Sequence, residues 1–471
     1  MMLTTRKRTA VTTLFVAALT CALGLPLKAE TLRQAMSAAY NNSGLLEQNR
    51  ALLRAADEDV AQAAAALRPV ANWSATVQDQ RGWSQSASTG NARSFNNSPS
   101  ANLAISAELT LFDGGQNKMA LEAAKEAVLA TRQSLVSVEQ QILFSAVDAY
   151  MKLRRELETV GLRENNLLVI QEELRAAQDR FDVGEITKTD VAMAEARLAA
   201  SASALAAARG AYIQAQEAYQ QAIGAPAGEL EEPTSTPKLP DTVKAVKSAA
   251  VRSHPDMLRI QHEIKQAELN VSRAKASMGT SVKLSGSMRY TDQEADDFSA
   301  QSTVSVSASG PIYSGGRLPS LVRQAMARRD AQRSGLHITR HRIEQQAGSA
   351  FALLEMARAG RKASEEQIRA ARVAFEGVRE EATLGSRTTL DVLNAEQELL
   401  DAKAGLISAV TDEYLAAYRV LSEMGKLTVD TLNLPVQKYD PAEYFNLVET
   451  APSSGSAQGK ALDRVLKALS K

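Results

Sequence analysis

Few side chains in this sequence are arranged to do chemistry, and most of those lie in two short stretches. Gly184-Glu185-Ile186-Thr187-Lys188-Thr189-Asp190-Val191 and Gly385-Ser386-Arg387-Thr388-Thr389-Leu390-Asp391-Val392 each gather a glycine, hydroxyl side chains and a carboxylate. The glycines suit helix ends with positive φ, and Thr189, Thr388 or the aspartates suit caps of the helices that follow. A guanidinium and a carboxylate can form a charge-assisted bidentate contact, yet an exposed pair contributes only about 0–1 kcal/mol. The plain alternative is a solvated charge pair beside a helix turn.

Other chemistry finds no support. His337 and His341 stand four residues apart but have no acidic or cysteine partner at motif spacing, so no metal site is expected. Gly114-Gly115 and Gly315-Gly316 lack the Lys-Ser/Thr that a phosphate loop needs, and read as strand-to-helix turns. His254 before Pro255 reads as a helix start. No nucleophile, base and orienting group recur together, so neither an enzyme nor a cofactor is expected.

The two stretches are partners in an internal duplication. An offset of 201 residues also relates Phe112-Asp113-Gly114-Gly115 to Tyr313-Ser314-Gly315-Gly316, Tyr150 to Phe351 and Gly224 to Gly425. Val60 and Val271 correspond at 211, so a ten-residue difference lies between those helices and the Gly-Gly turns. The repeats are expected over residues 30–238 and 239–434, with a tail over 435–471.

Composition says how these turns are held apart. Only 4% of the chain is aromatic, and residues 100–225 and 320–434 contain no proline. Alanine, leucine and long polar side chains dominate, favouring extended helices with close packing. The net charge is zero, so no nucleic-acid partner is expected. Arg6-Lys7-Arg8, an apolar run and Leu27-Lys28-Ala29 form an export signal over residues 1–29. Its removal takes away four basic residues and Cys21, the only cysteine, leaving 50 basic and 54 acidic residues and no disulfide. Lipidation at Cys21 is the alternative, but Ala18-Leu19-Thr20 places Thr where Gly or Ala is wanted.

Each repeat is expected to run helix, strand pair, long helix, glycine turn, helix. The first helix spans 31–67, strands lie near 73–81 and 103–111 with an exposed loop over 84–100, and long and returning helices reach 183 and 223. After a proline-rich crossover, the second repeat gives a helix to 278, strands at 282–290 and 303–308, and helices over 318–384 and 389–424. The long helices measure roughly 100 Å, and two shorter ones stacked end to end can flank each. Residues 453–459 read as unstructured, with a short basic helix after them. The mature sequence has no uninterrupted apolar run of about 20 residues, so helices are not expected to cross a membrane.

Strands about ten residues long with period-two alternation match an outer-membrane crossing, and Trp73, Phe112, Tyr290 and Tyr313 suit its aromatic girdle. Four strands cannot close a barrel, and an open sheet in lipid leaves backbone groups unpaired at several kcal/mol each. Membranous strands therefore demand an oligomer. The other reading of the strands is a non-conducting exported stalk or adhesin.

The sequence resembles the TolC family of outer-membrane export ducts across its whole mature length. The resemblance rests on Leu111-Phe112-Asp113-Gly114-Gly115, Pro311-Ile312-Tyr313-Ser314-Gly315-Gly316, Arg180-Phe181-Asp182-Val183-Gly184 with Thr189-Asp190-Val191, and Gly385-Ser386-Arg387-Thr388 with Leu390-Asp391-Val392-Leu393-Asn394-Ala395. Leu53-Arg54-Ala55-Ala56-Asp57-Glu58, Leu434-Pro435 and Tyr439-Asp440-Pro441 look more like the type I secretion branch than the drug-efflux branch. The resemblance implies an α+β homotrimer in a Gram-negative outer membrane, with one shared twelve-stranded transmembrane β-barrel and a hollow helical cylinder closing at its periplasmic tip. It implies docking to a periplasmic adaptor protein and an ABC or proton-driven inner-membrane transporter. On it, Asp190 and Arg387 latch the tip between neighbouring helix pairs, and Asp391 forms a carboxylate ring at the constriction. Asn394 stands where a second acidic ring is usual and Ala382 where an aromatic is usual, implying a less cation-selective, more loosely latched entrance.

Overall fold

The computed structural model describes residues 29–85, 88, 90, 93–233, 235–293 and 297–469. The expected export signal, with Cys21, lies outside the described residues except for Ala29. The first repeat contains α1 (Leu32–Asn42), α2 (Gly44–Ala65), β1 (Val70–Gln85), β2 (Arg93–Phe112), α3 (Gln116–Asp182) and α4 (Lys188–Ile223). The second contains α5 (Val243–Ser253), α6 (Pro255–Ala276), β3 (Ser281–Gln293), β4 (Asp297–Ser309), α7 (Arg317–Thr383) and α8 (Thr389–Glu423). The tail forms α9 (Val429–Leu432), α10 (Pro441–Val448) and α11 (Ala457–Leu469).

Helices α3 and α7 are each 67 residues long, about 100 Å at 1.5 Å per residue. The shorter helices α2 and α4 lie along α3, and α6 and α8 lie along α7. Asn42 Nδ2 donates to the Ile223 carbonyl at 3.0 Å, and Ser253 Oγ donates to the Met424 carbonyl at 2.7 Å, so each returning helix ends against the opening helices of its repeat. Two expected helices are broken. Ser43 accepts from Leu46 N and starts α2 anew, while His254 Nδ1 accepts from Asp256 N ahead of Pro255 and starts α6. The breaks are related by the 211-residue offset, so they belong to the duplicated design.

The core thickens around these junctions, where α1 and the tail add layers to the helical wall. Tyr150, fully buried on α3, donates its hydroxyl to the carbonyls of Glu30 at 2.8 Å and Glu231 at 2.6 Å. It thereby pins the start of the described chain and the crossover together. The tail folds back over α2 and α3: Tyr444 donates to Glu58 Oε1 at 2.7 Å, Arg132 to the Pro441 carbonyl at 3.2 Å, and Arg68 to the Thr450 and Ala451 carbonyls. Residues 453–459, expected to be unstructured, form a turn in which Ser456 N donates to the Ser453 carbonyl at 2.9 Å and then open α11.

The four strands form one antiparallel sheet in the order β1-β2-β3-β4, and they are longer than expected. β3 and β4 have 13 residues each, and β2 has 20. Ser100 pairs with Gln293, so Arg93 to Pro99 pair with β1 alone beyond the end of the other hairpin. The part of the expected loop from Arg93 to Ser100 is therefore strand, built from Ser and Asn residues that give no alternation signal.

The register sorts the sheet into two faces. Trp73, Ile105, Met288 and Ser302 form one cross-strand row, and Ala75, Leu103, Tyr290 and Ala300 form the next but one. The rows on either side of Trp73 hold Asn72, Ser106, Ser287 and Thr303, and Ser74, Ala104, Arg289 and Gln301. On the polar face Lys283 bonds Glu108 at 2.7 Å and Thr291 donates to Asn102 at 2.7 Å. On the apolar face Trp73, Val77 and Val304 are 75%, 87% and 79% exposed in the single chain. One face thus suits lipid and the other water, as a barrel wall requires.

Helix α4 alone among the described helices is long and apolar enough by composition to cross a membrane. Its alanines raise the mean hydropathy without forming an uninterrupted apolar run. α4 packs antiparallel along α3, and its alanines allow the two axes to approach closely.

Candidate gate at the helical tip

The two hairpins α3–α4 and α7–α8 end in turns of the same geometry. Gly184 and Gly385 have φ of 84° and 77°. Glu185 N donates to the Arg180 carbonyl at 2.9 Å, and Ser386 N to the Glu381 carbonyl at 3.0 Å, closing the last turns of α3 and α7. Three residues on, Thr187 and Thr388 take extended backbone and cap α4 and α8.

Both aspartates complete capping boxes. Oδ2 of Asp190 accepts from Thr187 N at 2.9 Å and from its hydroxyl at 2.7 Å. Oδ2 of Asp391 accepts from Thr388 N at 2.9 Å and from its hydroxyl at 2.8 Å. These bonds favour the ionised forms and hold both carboxyls below their ordinary values. The stabilisation they give is present above the ordinary carboxylate range and is lost as pH falls through the lowered values.

The capping hydroxyl of the first turn is Thr187. Thr189, expected in that role, is an exposed residue of the first turn of α4. The 201-residue offset aligns Thr187 with Thr388, which was the signal to use. Thr187→Ala should speed amide exchange at Asp190 and Val191, whereas Thr189→Ala should leave both unchanged; hydrogen exchange resolved to these peptides distinguishes them.

Within one chain Asp190 and Arg387 do not bond each other. Arg387 donates through Nε to Glu381 Oε2 at 2.8 Å, which raises its pKa, and Arg180 similarly meets Glu185 at 3.2 Å. Both caps on Asp190 use Oδ2, leaving Oδ1 open, and Arg387 keeps its terminal nitrogens free of Glu381. Asn394 Oδ1 accepts from Arg197 Nη2 at 3.0 Å, tying α8 to α4. Ala382 is buried in the last turn of α7.

Just inside the tip is a cluster that sequence reading missed. Glu396 Oε1 accepts from Asn166 Nδ2 at 2.8 Å, and Asn166 Oδ1 accepts from Ser201 Oγ at 2.9 Å, all three being buried. The available signal was spacing: Glu396 follows Leu393 and precedes Leu400 on the packed stripe of α8. Among the described residues no group of side chains is placed to hold a metal.

The family model described as "Outer membrane efflux protein" matches residues 35–225 and 246–424, one segment per repeat. Outer membrane efflux protein BepC of Brucella suis is 34% identical over 423 residues, covering 89% of this chain and 91% of that protein. Alkaline protease secretion protein AprF of Pseudomonas aeruginosa is 24% identical, covering 60% of each chain. The CmeC outer membrane channel of Campylobacter jejuni superposes with a TM-score of 0.74 at 15% identity, covering 90% of both chains.

Proposed function

The chain belongs to the outer membrane efflux protein family, and on that premise we propose that it is the exit duct of a type I protein secretion system. As a member it is a non-enzymatic outer-membrane channel of a Gram-negative envelope, with its helices in the periplasm. The observation that carries the duct is the open four-stranded sheet, apolar on one face and polar on the other, set on helices about 100 Å long. Three copies supply twelve strands, which closes the barrel that four cannot. A non-conducting stalk gives no account of the apolar face.

At the far end Asp190 of one hairpin and Arg387 of the neighbouring hairpin latch the entrance, using the free Oδ1 and the free guanidinium nitrogens. Asp391 lines the constriction, with Asn394 one turn further in. A latch of exposed ion pairs is weak, as suits a closure that docking of an adaptor protein must release. An inner-membrane ABC transporter would supply the energy.

Protein secretion draws on the likeness to AprF and on Tyr439-Asp440-Pro441 in the folded-back tail. The second reading, the outer-membrane part of a multidrug efflux pump with a proton-driven partner, draws on the higher identity to BepC. Deleting the gene separates them: loss of a secreted protein from the medium supports the first, and drug sensitivity with secretion intact supports the second. In planar bilayers the mature protein should conduct, and an Asp190→Ala, Arg387→Ala double variant should raise mean conductance several-fold. An unchanged conductance would move the latch elsewhere.

A further inference from the structure

Helix α8 carries a carboxylate where its packing calls for an apolar side chain. Leu393, Glu396 and Leu400 lie on one stripe, and Glu396 is only 6% exposed. It is the eighth residue of α8, about 10 Å along the helix from its start. Its Oε1 is held by Asn166 of α3, and Asn166 is held by Ser201 of α4, so one relay of side chains crosses three helices. Its Oε2 is buried without a hydrogen-bond partner. A carboxylate buried in this way costs stability relative to a leucine, and neither the turns nor the capping boxes require it.

We propose that Glu396 is a positioning residue for the entrance: with Asn166 and Ser201 it forms an interior bolt that fixes α8 against the α3–α4 hairpin, and α8 moves only when that bolt is broken. This rests on the duct reading for its functional meaning, but the bolt itself is a statement about packing. It lies behind the turns and is separate from the Asp190 and Arg387 contacts. The open Oε2 makes the bolt sensitive to the state of the carboxyl. A protonated group is neutral and accepts from Asn166 without burying a charge, whereas an ionised one buries a charge with a single hydrogen bond.

The surroundings favour the protonated form near neutrality. Burial pushes the Glu396 carboxyl up to about 7; Asn166, Arg197 on α4 and Lys403 on α8 oppose this, and Glu173 on α3 adds to it. On α7, Arg379 stands 3.9 Å from Glu173 and partly offsets its charge. A folded-state value raised above the ordinary 4.5 means that the stabilisation is fully present below 4.5 and is lost as pH rises through about 7. The bolt is therefore firm in mild acid and slackens as pH rises from 4.5 through about 7.

The test uses the mature, detergent-purified oligomer and compares the wild type with Glu396→Gln and Glu396→Ala. Hydrogen exchange over residues 392–400 is read between about pH 5 and about pH 9, after correction for intrinsic exchange. In the wild type, protection should fall by more than about tenfold, mostly as pH rises from about 5 to about 7, and level off above that. Glu396→Gln keeps an acceptor for Asn166 without a titrating charge, so it should stay protected throughout. Glu396→Ala should be unprotected at every pH, and in bilayers should open more often than Glu396→Gln. A Glu396→Gln protein that titrates like the wild type, or one no better protected than Glu396→Ala, overturns the proposal. Exchange decides the bolt in preparations that do not conduct, so absence of conductance from every variant would count against the duct reading alone.

Discussion

Gly425→Ala is expected to destabilise the oligomer more than Gly224→Ala, although the two glycines are repeat equivalents. Both have positive φ, 71° and 78°, where a side chain costs about 1–2 kcal/mol. The surroundings then separate them. A β-carbon on Gly425 would lie 2.4 Å from the Ser253 carbonyl oxygen and 2.7 Å from His254 Cα, which are backbone atoms at the break between α5 and α6. A β-carbon on Gly224 would lie 2.7 Å from Asn42 Cβ, which moves only with its backbone, while its other neighbours, Asn42 Nδ2 at 3.3 Å and Cγ at 3.4 Å, can rotate away at the loss of the bond to Ile223. Three contacts with fixed backbone add about 1–3 kcal/mol, giving about 2–5 kcal/mol for Gly425→Ala, and the single short contact of Gly224→Ala leaves it at about 1–4 kcal/mol. Heat dissociation of the purified oligomer is the measurement. Equal shifts for the two variants would mean that the α8–α5 junction yields as easily as the α4–α1 junction does.

That asymmetry shows what a repeated sequence discloses. The offset of 201 located both glycines, the helix lengths predicted that opening and returning helices stack end to end, and the bonds from Asn42 and Ser253 are those contacts. It could not disclose that one glycine is crowded by three backbone atoms and the other by a single β-carbon, because the contacts come from residues outside the matched motifs. The break at Ser43 was hidden differently: apolar spacing continues through it and only the cap interrupts the helix, whereas the helix start expected at His254 is marked by Pro255 and is there.

The site was legible where local geometry decides it. A glycine, a hydroxyl and an aspartate at fixed spacing build the capped turns, and the structure has both. Thr189 lies nearer Asp190 in sequence, but the repeat aligns Thr187 with Thr388, and Thr187 stands at the cap. Glu396 escaped because a charged residue is taken to face water, and only its three-helix surroundings reveal otherwise. The contact between Asp190 and Arg387 belongs to an assembly, and a single chain shows only the partners each holds meanwhile, Thr187 and Glu381.

The outer-membrane end gives the other large expected effect, a contrast between adjacent residues. Ile105→Arg should abolish accumulation of the heat-dissociable oligomer, while Ser106→Arg should accumulate normally and shift ion selectivity toward anions. Ser106 pairs with Ser287, the midpoint of β3, so the two positions lie near the middle of the shared sheet. Ile105 shares a row with Trp73 and Met288 on the apolar face, and an arginine at the bilayer midplane on a lipid-facing position costs about 2–4 kcal/mol in each copy. Ser106 shares the opposite face with Glu108, whose carboxylate is already neutralised by Lys283 at 2.7 Å, so a new guanidinium there adds net positive charge to the polar wall. Oligomer recovered from outer membranes and reversal potentials in bilayers read the two effects separately. Should Ile105→Arg accumulate as well as Ser106→Arg, the apolar face would not be the lipid face, and the barrel would have to be closed with the opposite side outward.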